Sequence, residues 1–203
     1  MRSEDNLDLQ LATNVLGHHH LMNLCMPLML QARSRDFSPR ICVTSSSGHN
    51  FSPGFDANDA ELKKNSTINS SWTPDINKRS LLYGNSKLGN ILQARKLHRM
   101  YGSQGIVVAS CNPGNLETDL TRHLNGFFGR ILQFFVRSTL LFPAQYGAYN
   151  QLWICTSDEG EKLGGQYVVP WTRVANASET ARDEKAQDGL WDWCEAQVKR
   201  VLG

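Results

Sequence analysis

The chain has 203 residues, of which 40% are hydrophobic, so it can form the core of one domain or of two small ones. Its 21 Lys and Arg are set against 19 Asp and Glu, and the formal charge of +2 gives no electrostatic reason to expect nucleic-acid binding. The five cysteines are widely spaced and include no C-x-x-C pair, which argues against a disulfide framework or a zinc ribbon and favours a reducing compartment.

Residues 5 to 32 carry apolar side chains at helical spacing behind an acidic start, which predicts one long helix or two consecutive ones with a kink at Pro27. The apolar set comprises Leu7, Leu11, Val15, Leu21, Leu24, Leu28 and Met29. The polar amino terminus lacks the basic and apolar regions of a secretory signal, so we expect a cytoplasmic protein.

The run Arg40 to Ser45 is apolar and continuous, which predicts a strand buried on both faces of a parallel sheet. Residues 47 to 79 are rich in Ser, Asn, Asp and Pro, and we interpret them as a loop insertion beside a functional site. A helix is predicted from Leu81 to Met100, followed by a buried strand from Gly105 to Cys111 that ends at a turn.

The most apolar window, Leu124 to Phe142, has the length of a membrane span but contains two arginines and a glutamine, so an amphipathic flap is favoured. Peripheral membrane contact remains an alternative. Further elements are predicted in the order helix, strand and helix, at about Pro143 to Thr156, Gln166 to Pro170 and Glu179 to Val201. Helices that alternate with buried strands predict a single α/β domain over residues 1–203.

Tyr83 and Lys87 stand four residues apart on the predicted helix, so both side chains lie on one face. A nearby ammonium favours an ionised phenol, which suits proton exchange. An exposed pair on a helix surface would have the same spacing, so the pair alone leaves both interpretations open.

Four motifs occur in order: Thr13-Asn14-Val15-Leu16-Gly17-His18, Val43-Thr44-Ser45-Ser46-Ser47-Gly48-His49, Tyr83-x-x-x-Lys87-Leu88-x-Asn90, and Asn112-Pro113-Gly114-Asn115-Leu116-Glu117-Thr118. Together they resemble the second half of a short-chain dehydrogenase/reductase, close to the branch of the retinol-dehydrogenase-like and WW-domain oxidoreductases. The resemblance extends from about residue 7 to residue 170. It implies a Rossmann-like, doubly wound parallel sheet and hydride transfer between NADP or NAD and an alcohol or carbonyl.

The resemblance places the catalytic tetrad on Asn14, Ser46, Tyr83 and Lys87. It implies that Tyr83 exchanges a proton with the substrate oxygen, to which Ser46 donates a hydrogen bond. It further implies that Lys87 favours the ionised phenol and holds the nicotinamide ribose, while Asn14 positions a water that links Lys87 to solvent. Ser45 and Ser47 remain alternatives to Ser46, and the long segment between Ser46 and Tyr83 leaves substrate placement open.

The resemblance also implies cofactor contacts from Asn14, Tyr83 and Lys87 and from the turn that contains Pro113, Gly114, Leu116 and Thr118. Residues 121–142 resemble a mobile substrate lid. Its phenylalanines imply an apolar or bulky substrate, although ordinary helix packing explains them equally well. Family members often pair through the tyrosine-bearing helix and the helix before it, so the resemblance is also compatible with a homodimer.

The sequence departs from the family pattern at its front. No two of the 16 glycines are separated by a single residue, so neither G-x-G-x-x-G nor T-G-x-x-x-G-x-G occurs in the chain. Such glycines hold the adenosine phosphates at a helix amino terminus. We therefore expect a truncated reductase; the alternative is a non-catalytic interaction protein derived from one.

The sequence disfavours two other types of site, a serine hydrolase site and a metal site. A serine hydrolase using Ser46, His49 and Asp56 lacks the G-x-S-x-G elbow. The run His18-His19-His20 places adjacent side chains on different faces of a helix, so we predict no metal site.

Overall fold

The computed structural model describes residues 2–34, 36–61, 75–116 and 141–202. Parts of three predictions lie outside these residues: residues 62–74 of the loop insertion, residues 121–140 of the lid, and Thr118 of the turn. Among the described residues, no helix is both long enough and apolar enough to span a membrane.

The first helical stretch confirms the helix predicted over residues 5 to 32. It consists of α1 (Leu9–Leu11), a π turn (Ala12–Leu16) and α2 (Gly17–Ala32), and Pro27 lies inside α2. Asp8 begins it, because its carboxylate accepts a hydrogen bond from the Leu11 amide at 3.0 Å.

Four strands form one sheet in the order β1-β2-β3-β4. They are β1 (Arg40–Thr44), β2 (Val107–Cys111), β3 (Tyr167–Val169) and β4 (Arg173–Ala175). The first three strands are parallel, and β4 pairs with β3 in the antiparallel direction. The other helices are α3 (Ala57–Ala60), α4 (Asp75–Tyr101), α5 (Tyr149–Thr156), α6 (Glu179–Arg182) and α7 (Glu184–Leu202).

Helices cover both faces of this sheet. Val43 and Val108 pack in one buried cluster with residues of α2, α4 and α7. Ala109 and Cys111 belong to another cluster, which contains Ile154 of α5. Because successive side chains of a strand point to opposite faces, the two clusters lie on opposite sides of β2. The protein therefore has the Rossmann-like α/β fold that the sequence predicted.

The burial predicted for the first strand is wrong. Only Val43 of β1 is buried, and its other residues are partly exposed. β1 stands at one end of the strand order, so within the described ranges it pairs only with β2. By contrast, all five residues of β2 are buried, as predicted.

The apolar face predicted for the second half of the first helix is also wrong. Leu21, Leu24 and Leu28 are 58%, 61% and 66% exposed. Met22 and Met26 are buried instead, together with His19. His19 is held by a 2.8 Å contact with Glu195 and by the edge of the Trp191 ring. Packing against α4 and α7 therefore decides which face of α2 is buried.

The carboxy-terminal third differs from prediction in two places. The strand β4 was missed, because it is short, largely exposed and follows Thr172, which has a φ of 54° without the glycine or asparagine that usually marks such a turn. The last helix is divided at Asp183, whose extended backbone separates α6 from α7. The Asp183 carboxylate then accepts a hydrogen bond from the Lys185 amide at 2.9 Å and starts α7.

Two glycines let α4 approach its neighbours closely. A Cβ on Gly84 would lie 2.8 Å from the carbonyl oxygen of Gly48, and one on Gly89 would lie 2.8 Å from a methyl carbon of Val15. Side chains at these positions would displace α4 from the segment after β1 and from the π turn. The close approach sets the position of Tyr83, which immediately precedes Gly84.

Candidate active site

Tyr83 and Lys87 lie on the same side of α4, as their spacing predicted. The Lys87 ammonium nitrogen is 5.8 Å from the centre of the Tyr83 ring and donates a hydrogen bond to the Thr44 carbonyl at 3.3 Å. Burial lowers the pKa of Lys87, and the nearby Cys111 opposes this effect. The Tyr83 side chain is 38% exposed and lines a cleft. A cation and a solvent-accessible phenol therefore share one side of the helix.

The three consecutive serines after β1 have different environments. Ser45 is buried, and its hydroxyl donates to the Lys87 carbonyl at 2.7 Å. Ser46 lines the cleft beside Tyr83. A Cβ placed on Gly48 would lie 2.9 Å from a Tyr83 ring carbon and 3.5 Å from the Ser46 hydroxyl oxygen, so the ring and the hydroxyl flank the same glycine. This geometry favours Ser46 over Ser45 as the serine that reaches a substrate near Tyr83.

His49 fixes the backbone beneath Ser46. Its Nδ1 lies 2.7 Å from the Ser46 carbonyl, and its Nε2 accepts a hydrogen bond from the Ser178 amide at 3.2 Å. The partners assign the neutral tautomer with the proton on Nδ1, and burial lowers the pKa of His49. The ring contacts the carbonyl of Ser46 rather than its hydroxyl, which does not match a serine hydrolase.

Asn14 lies within the π turn and faces the helix that carries Tyr83. Its side-chain amide donates to the Ser86 hydroxyl at 3.1 Å, and Ser86 donates to the Tyr83 carbonyl at 2.8 Å. Asn14 is therefore joined to α4 one turn beyond Tyr83. The direct partner of its side chain is Ser86, not Lys87.

The turn after β2 is held by a residue that the sequence analysis did not single out. Asn150 of α5 donates to the Asn112 carbonyl at 2.7 Å, and its side-chain oxygen accepts from the Thr172 amide at 2.8 Å. Asn150 is 1% exposed, so its side chain is shielded from water at both bonds. Gly114 follows with a φ of 98°, which a residue with a side chain rarely adopts. Asn150 thus joins this turn to the loop between β3 and β4.

Two clefts meet at Ser47. The first has a volume of about 740 Å³, and its lining includes Ser46, Gly48, Phe51, Arg79 and Tyr83. The second has a volume of about 610 Å³, and its lining includes Asn112, Gly114, Asn115, Phe142, Trp171 and Arg173. The predicted proton-exchange residues and the predicted cofactor turn thus face adjoining spaces.

A cluster of aromatic side chains lies at the second cleft, which Phe142 and Trp171 line. The Trp171 ring centre lies 5.1 Å from that of Phe142, 5.6 Å from that of Tyr146 and 6.2 Å from that of Tyr149. Leu116 pairs with Phe142 through an isolated parallel bridge. Of the predicted lid, only the end at residues 141 and 142 is described, and Phe142 is part of this aromatic wall.

Comparison with known proteins finds similar sequences along almost the whole chain. A short-chain dehydrogenase/reductase of Armillaria gallica is 38% identical over 199 residues, which are 98% of this chain and 60% of the relative. A second such protein of the same fungus is 36% identical with the same coverage. The WW domain-containing oxidoreductase of Gallus gallus is 29% identical over 99% of this chain and 46% of its own length. This chain belongs to the short-chain dehydrogenase/reductase family.

The fold is shared with a solved structure. An uncharacterised protein from Mycobacterium paratuberculosis superposes with a TM-score of 0.65 at 23% identity, over 97% of this chain and 61% of that one. No family model matches the chain. The chain spans about 60% of the length of the two Armillaria gallica short-chain dehydrogenase/reductases.

The turn predicted to contact the nicotinamide end of a dinucleotide reaches the second cleft at Gly114. A Cβ on Gly114 would lie 3.0 Å from the Pro170 ring and 3.2 Å from the Trp171 ring, so only glycine keeps this part of the cleft wall in place. For the adenosine end, the sequence contains no Gly-rich turn of the kind that binds the phosphates of a dinucleotide. The described residues leave open space beside this turn, where the reacting end of such a cofactor would lie.

Proposed function

We propose that this chain carries the proton-transfer half of a short-chain reductase site, which acts on an alcohol or carbonyl of an apolar substrate with NADP or NAD. The observation that carries the proposal is that Tyr83 of α4 and Ser46 of the segment after β1 line one cleft, while the Lys87 ammonium lies 5.8 Å from the centre of the Tyr83 ring. The nicotinamide supplies or accepts the hydride when it is bound. The side chains of this chain supply orientation and the proton.

Tyr83 is the proposed proton donor and acceptor. Its phenol faces the cleft, and the ammonium of Lys87 lies 5.8 Å from the centre of its ring. Ser46 is proposed to donate a hydrogen bond to the substrate oxygen, which holds the reacting carbon beside the phenol and stabilises the developing negative charge. The hydroxyl also accepts a hydrogen bond from the Gly48 amide at 3.1 Å, which occupies one lone pair and leaves its proton free to be donated.

Lys87 and Asn14 are proposed to connect the phenol to solvent. The burial that lowers the pKa of Lys87 makes its proton easier to release than that of an exposed lysine. Asn14 lies on the facing helical turn, within hydrogen-bond reach of Ser86. A water between Asn14 and the ammonium would complete a path for the proton that Tyr83 exchanges.

The second cleft is the proposed place for the nicotinamide. Gly114 of the predicted cofactor turn lines this cleft, Pro113 and Leu116 belong to the same turn, and Thr118 of the motif lies beyond the described residues. Phe51 on one side and the aromatic wall of Phe142 and Trp171 on the other give the adjoining clefts a largely apolar lining. An apolar substrate would therefore bury carbon surface there while its oxygen meets Tyr83 and Ser46.

Cofactor binding to the purified 203-residue chain is the first test. NADPH, NADH and reduced nicotinamide mononucleotide are titrated separately, with energy transfer from tryptophan to the reduced nicotinamide as the signal. Binding of the mononucleotide would support the nicotinamide site, because this ligand has no adenosine and needs no adenosine site. Failure of all three to bind would favour the alternative, an interaction protein that has lost catalysis.

Turnover is the second test. With a panel of apolar aldehydes and ketones, Tyr83→Phe should lower kcat by about 100-fold or more while cofactor affinity is kept. Tyr101→Phe is the matched control, because Tyr101 lies at the far end of the same helix. Equal activity of the Tyr83→Phe variant and the parent chain would contradict the assignment.

A further inference from the structure

Three hydrogen bonds join the end of β1 to α4 beside the candidate site. The Ser45 hydroxyl donates to the Lys87 carbonyl at 2.7 Å. The Thr44 carbonyl accepts from the Lys87 ammonium at 3.3 Å and from the Asn90 side-chain amide at 2.8 Å. Because Ser46 follows Ser45 directly, these bonds also fix where Ser46 lies relative to α4.

Asn90 is a buried residue of the Tyr83 motif to which the proposed reaction gives no role. It is 0% exposed, and it follows Lys87 by three residues and Tyr83 by seven, on the same side of α4. Its side-chain oxygen has no hydrogen-bond partner in the described part of the chain. A buried amide oxygen without a partner lowers stability, so the bond to the Thr44 carbonyl is what distinguishes asparagine here from an apolar residue.

Asn90 and Lys87 share the Thr44 carbonyl unequally. The Asn90 bond has an ordinary length, whereas the Lys87 bond is longer than the about 2.7–3.2 Å that is usual for an N–H donor. An ammonium ordinarily makes shorter, charge-assisted bonds. The Asn90 amide occupies one lone pair of the carbonyl, and its hydrogens carry partial positive charge that opposes a closer approach of the ammonium. The Lys87 ammonium is therefore only loosely bound to the end of β1.

The described residues hold the Lys87 ammonium at this one point. Its nitrogen makes no ion pair and no second hydrogen bond with them. The titratable groups near it are Tyr83 of α4, Cys111 of β2 and His18 of α2, whose pKa is lowered by burial and then by the Lys87 charge. An ammonium has three N–H donors, so two remain for groups that enter the site.

We propose that Asn90 is a positioning residue for Lys87, which keeps the ammonium from binding tightly to the end of β1. The proposal rests on the function proposed above, in which Lys87 serves the proton exchange of Tyr83. With the amide at the Thr44 carbonyl, the ammonium can turn toward the phenol without first giving up a strong bond. Without the amide, the ammonium closes on the carbonyl, holds its proton more tightly and is less available to the site.

The acetylation rate of Lys87 tests this proposal without cofactor or substrate. Trace labelling with acetic anhydride at pH 8, quantified for each lysine by mass spectrometry, measures how much of each amine is unprotonated. In Asn90→Leu, which keeps the branched shape of the side chain without its polar atoms, Lys87 should react about threefold more slowly than in the parent chain. Lys96, which is paired with Asp188 at 2.7 Å, is the internal reference and should react equally in both. An equal or faster rate at Lys87 would overturn the proposal.

Gln93→Met is the matched control variant. Gln93 is also buried in α4, its amide donates to the Val15 backbone carbonyl at 3.1 Å, and its side-chain oxygen has no partner within the described ranges. Its replacement should leave the Lys87 rate unchanged, and a decrease equal to that in Asn90→Leu would overturn a specific role of Asn90. If circular dichroism shows that Asn90→Leu does not fold, Asn90→Ala is measured in its place, with the same rate expected.

Turnover separates failure of this proposal from failure of the proposed function. If the parent chain reduces members of the carbonyl panel, Asn90→Leu should lower kcat about 10-fold and leave KM unchanged, because Lys87 acts on the proton and not on the apolar body of the substrate. An unchanged kcat would overturn the proposal. A parent chain without turnover contradicts the proposed function instead, and the acetylation rates still decide the role of Asn90.

Discussion

Replacement of Gly84 by alanine tests whether close helix packing positions the candidate site. Gly84 follows Tyr83 on α4 and lies against the segment after β1, which carries Ser46. An alanine Cβ at this position would lie 2.8 Å from the Gly48 carbonyl oxygen and 3.3 Å from the Ser52 amide nitrogen. Both are backbone atoms, so no side-chain rotation can relieve the contact. The helix and the segment must separate.

The expected change in the free energy of unfolding is the sum of two opposing effects. Overpacking of a close contact lowers it by about 1–3 kcal/mol. Alanine in place of glycine inside a helix raises it by about 0.5–1 kcal/mol, because alanine gives the unfolded chain less conformational freedom. The net loss in the free energy of unfolding for Gly84→Ala should be about 1–2 kcal/mol. For a chain of this size, that corresponds to a Tm lower by roughly 2–8 °C.

Gly189→Ala is the matched control, because Gly189 also lies in a helix but has no atom within 4 Å of the added Cβ. It should raise the free energy of unfolding by about 0.5–1 kcal/mol. Urea denaturation followed by circular dichroism measures both variants. If Gly84→Ala is as stable as the parent while Gly189→Ala gains stability, the close approach of α4 does not constrain the fold.

The remaining predictions concern the two turns and the response to pH. Asn150→Ala should lower the free energy of unfolding by about 1–3 kcal/mol in urea, since it removes both hydrogen bonds of a buried side chain; a loss below the error of the method would contradict this. Gly114→Ala should cost about 1–3 kcal/mol in the same assay, because its φ of 98° strains any residue with a Cβ. Burial lowers the pKa of His49, so the unfolded chain binds more protons, and stability should fall as the pH drops below about 6.5. His49→Gln should flatten that pH dependence, and an unchanged slope would refute the assignment.

The sequence correctly predicted the elements in which the apolar residues are also the residues that the fold buries. The prediction of the second strand was correct, because its sequence is a continuous apolar run and all five of its residues are buried. The prediction of a helix at Tyr83 was also correct, although this helix begins at Asp75 rather than at Leu81. The buried face of α2 was not predictable from hydrophobicity, because His19 is buried by a contact with Glu195, 176 positions away along the chain.

In the candidate site too, local spacing was predictable and contacts between distant segments were not. Spacing alone put Tyr83 and Lys87 on one side of a helix, and the structure agrees. The contacts of Asn150 could not be anticipated, since a buried asparagine in a helix has no distinguishing local pattern and its partners come from two other segments. His49 entered the sequence analysis only as a candidate base, whereas its contacts show that it supports the loop carrying Ser46.

The π turn at Ala12–Leu16 fixes the rotational phase of everything that follows it in the same helix. Such a turn holds one residue more than an α-helical path would. Deleting one residue there would restore an ordinary α-helical turn, and Met22 and Met26 would keep facing the interior. The same deletion within the regular part of α2 would rotate every later side chain of the helix by about 100° around its axis. The π turn is therefore the place in this helix where a change of one residue in length can be absorbed.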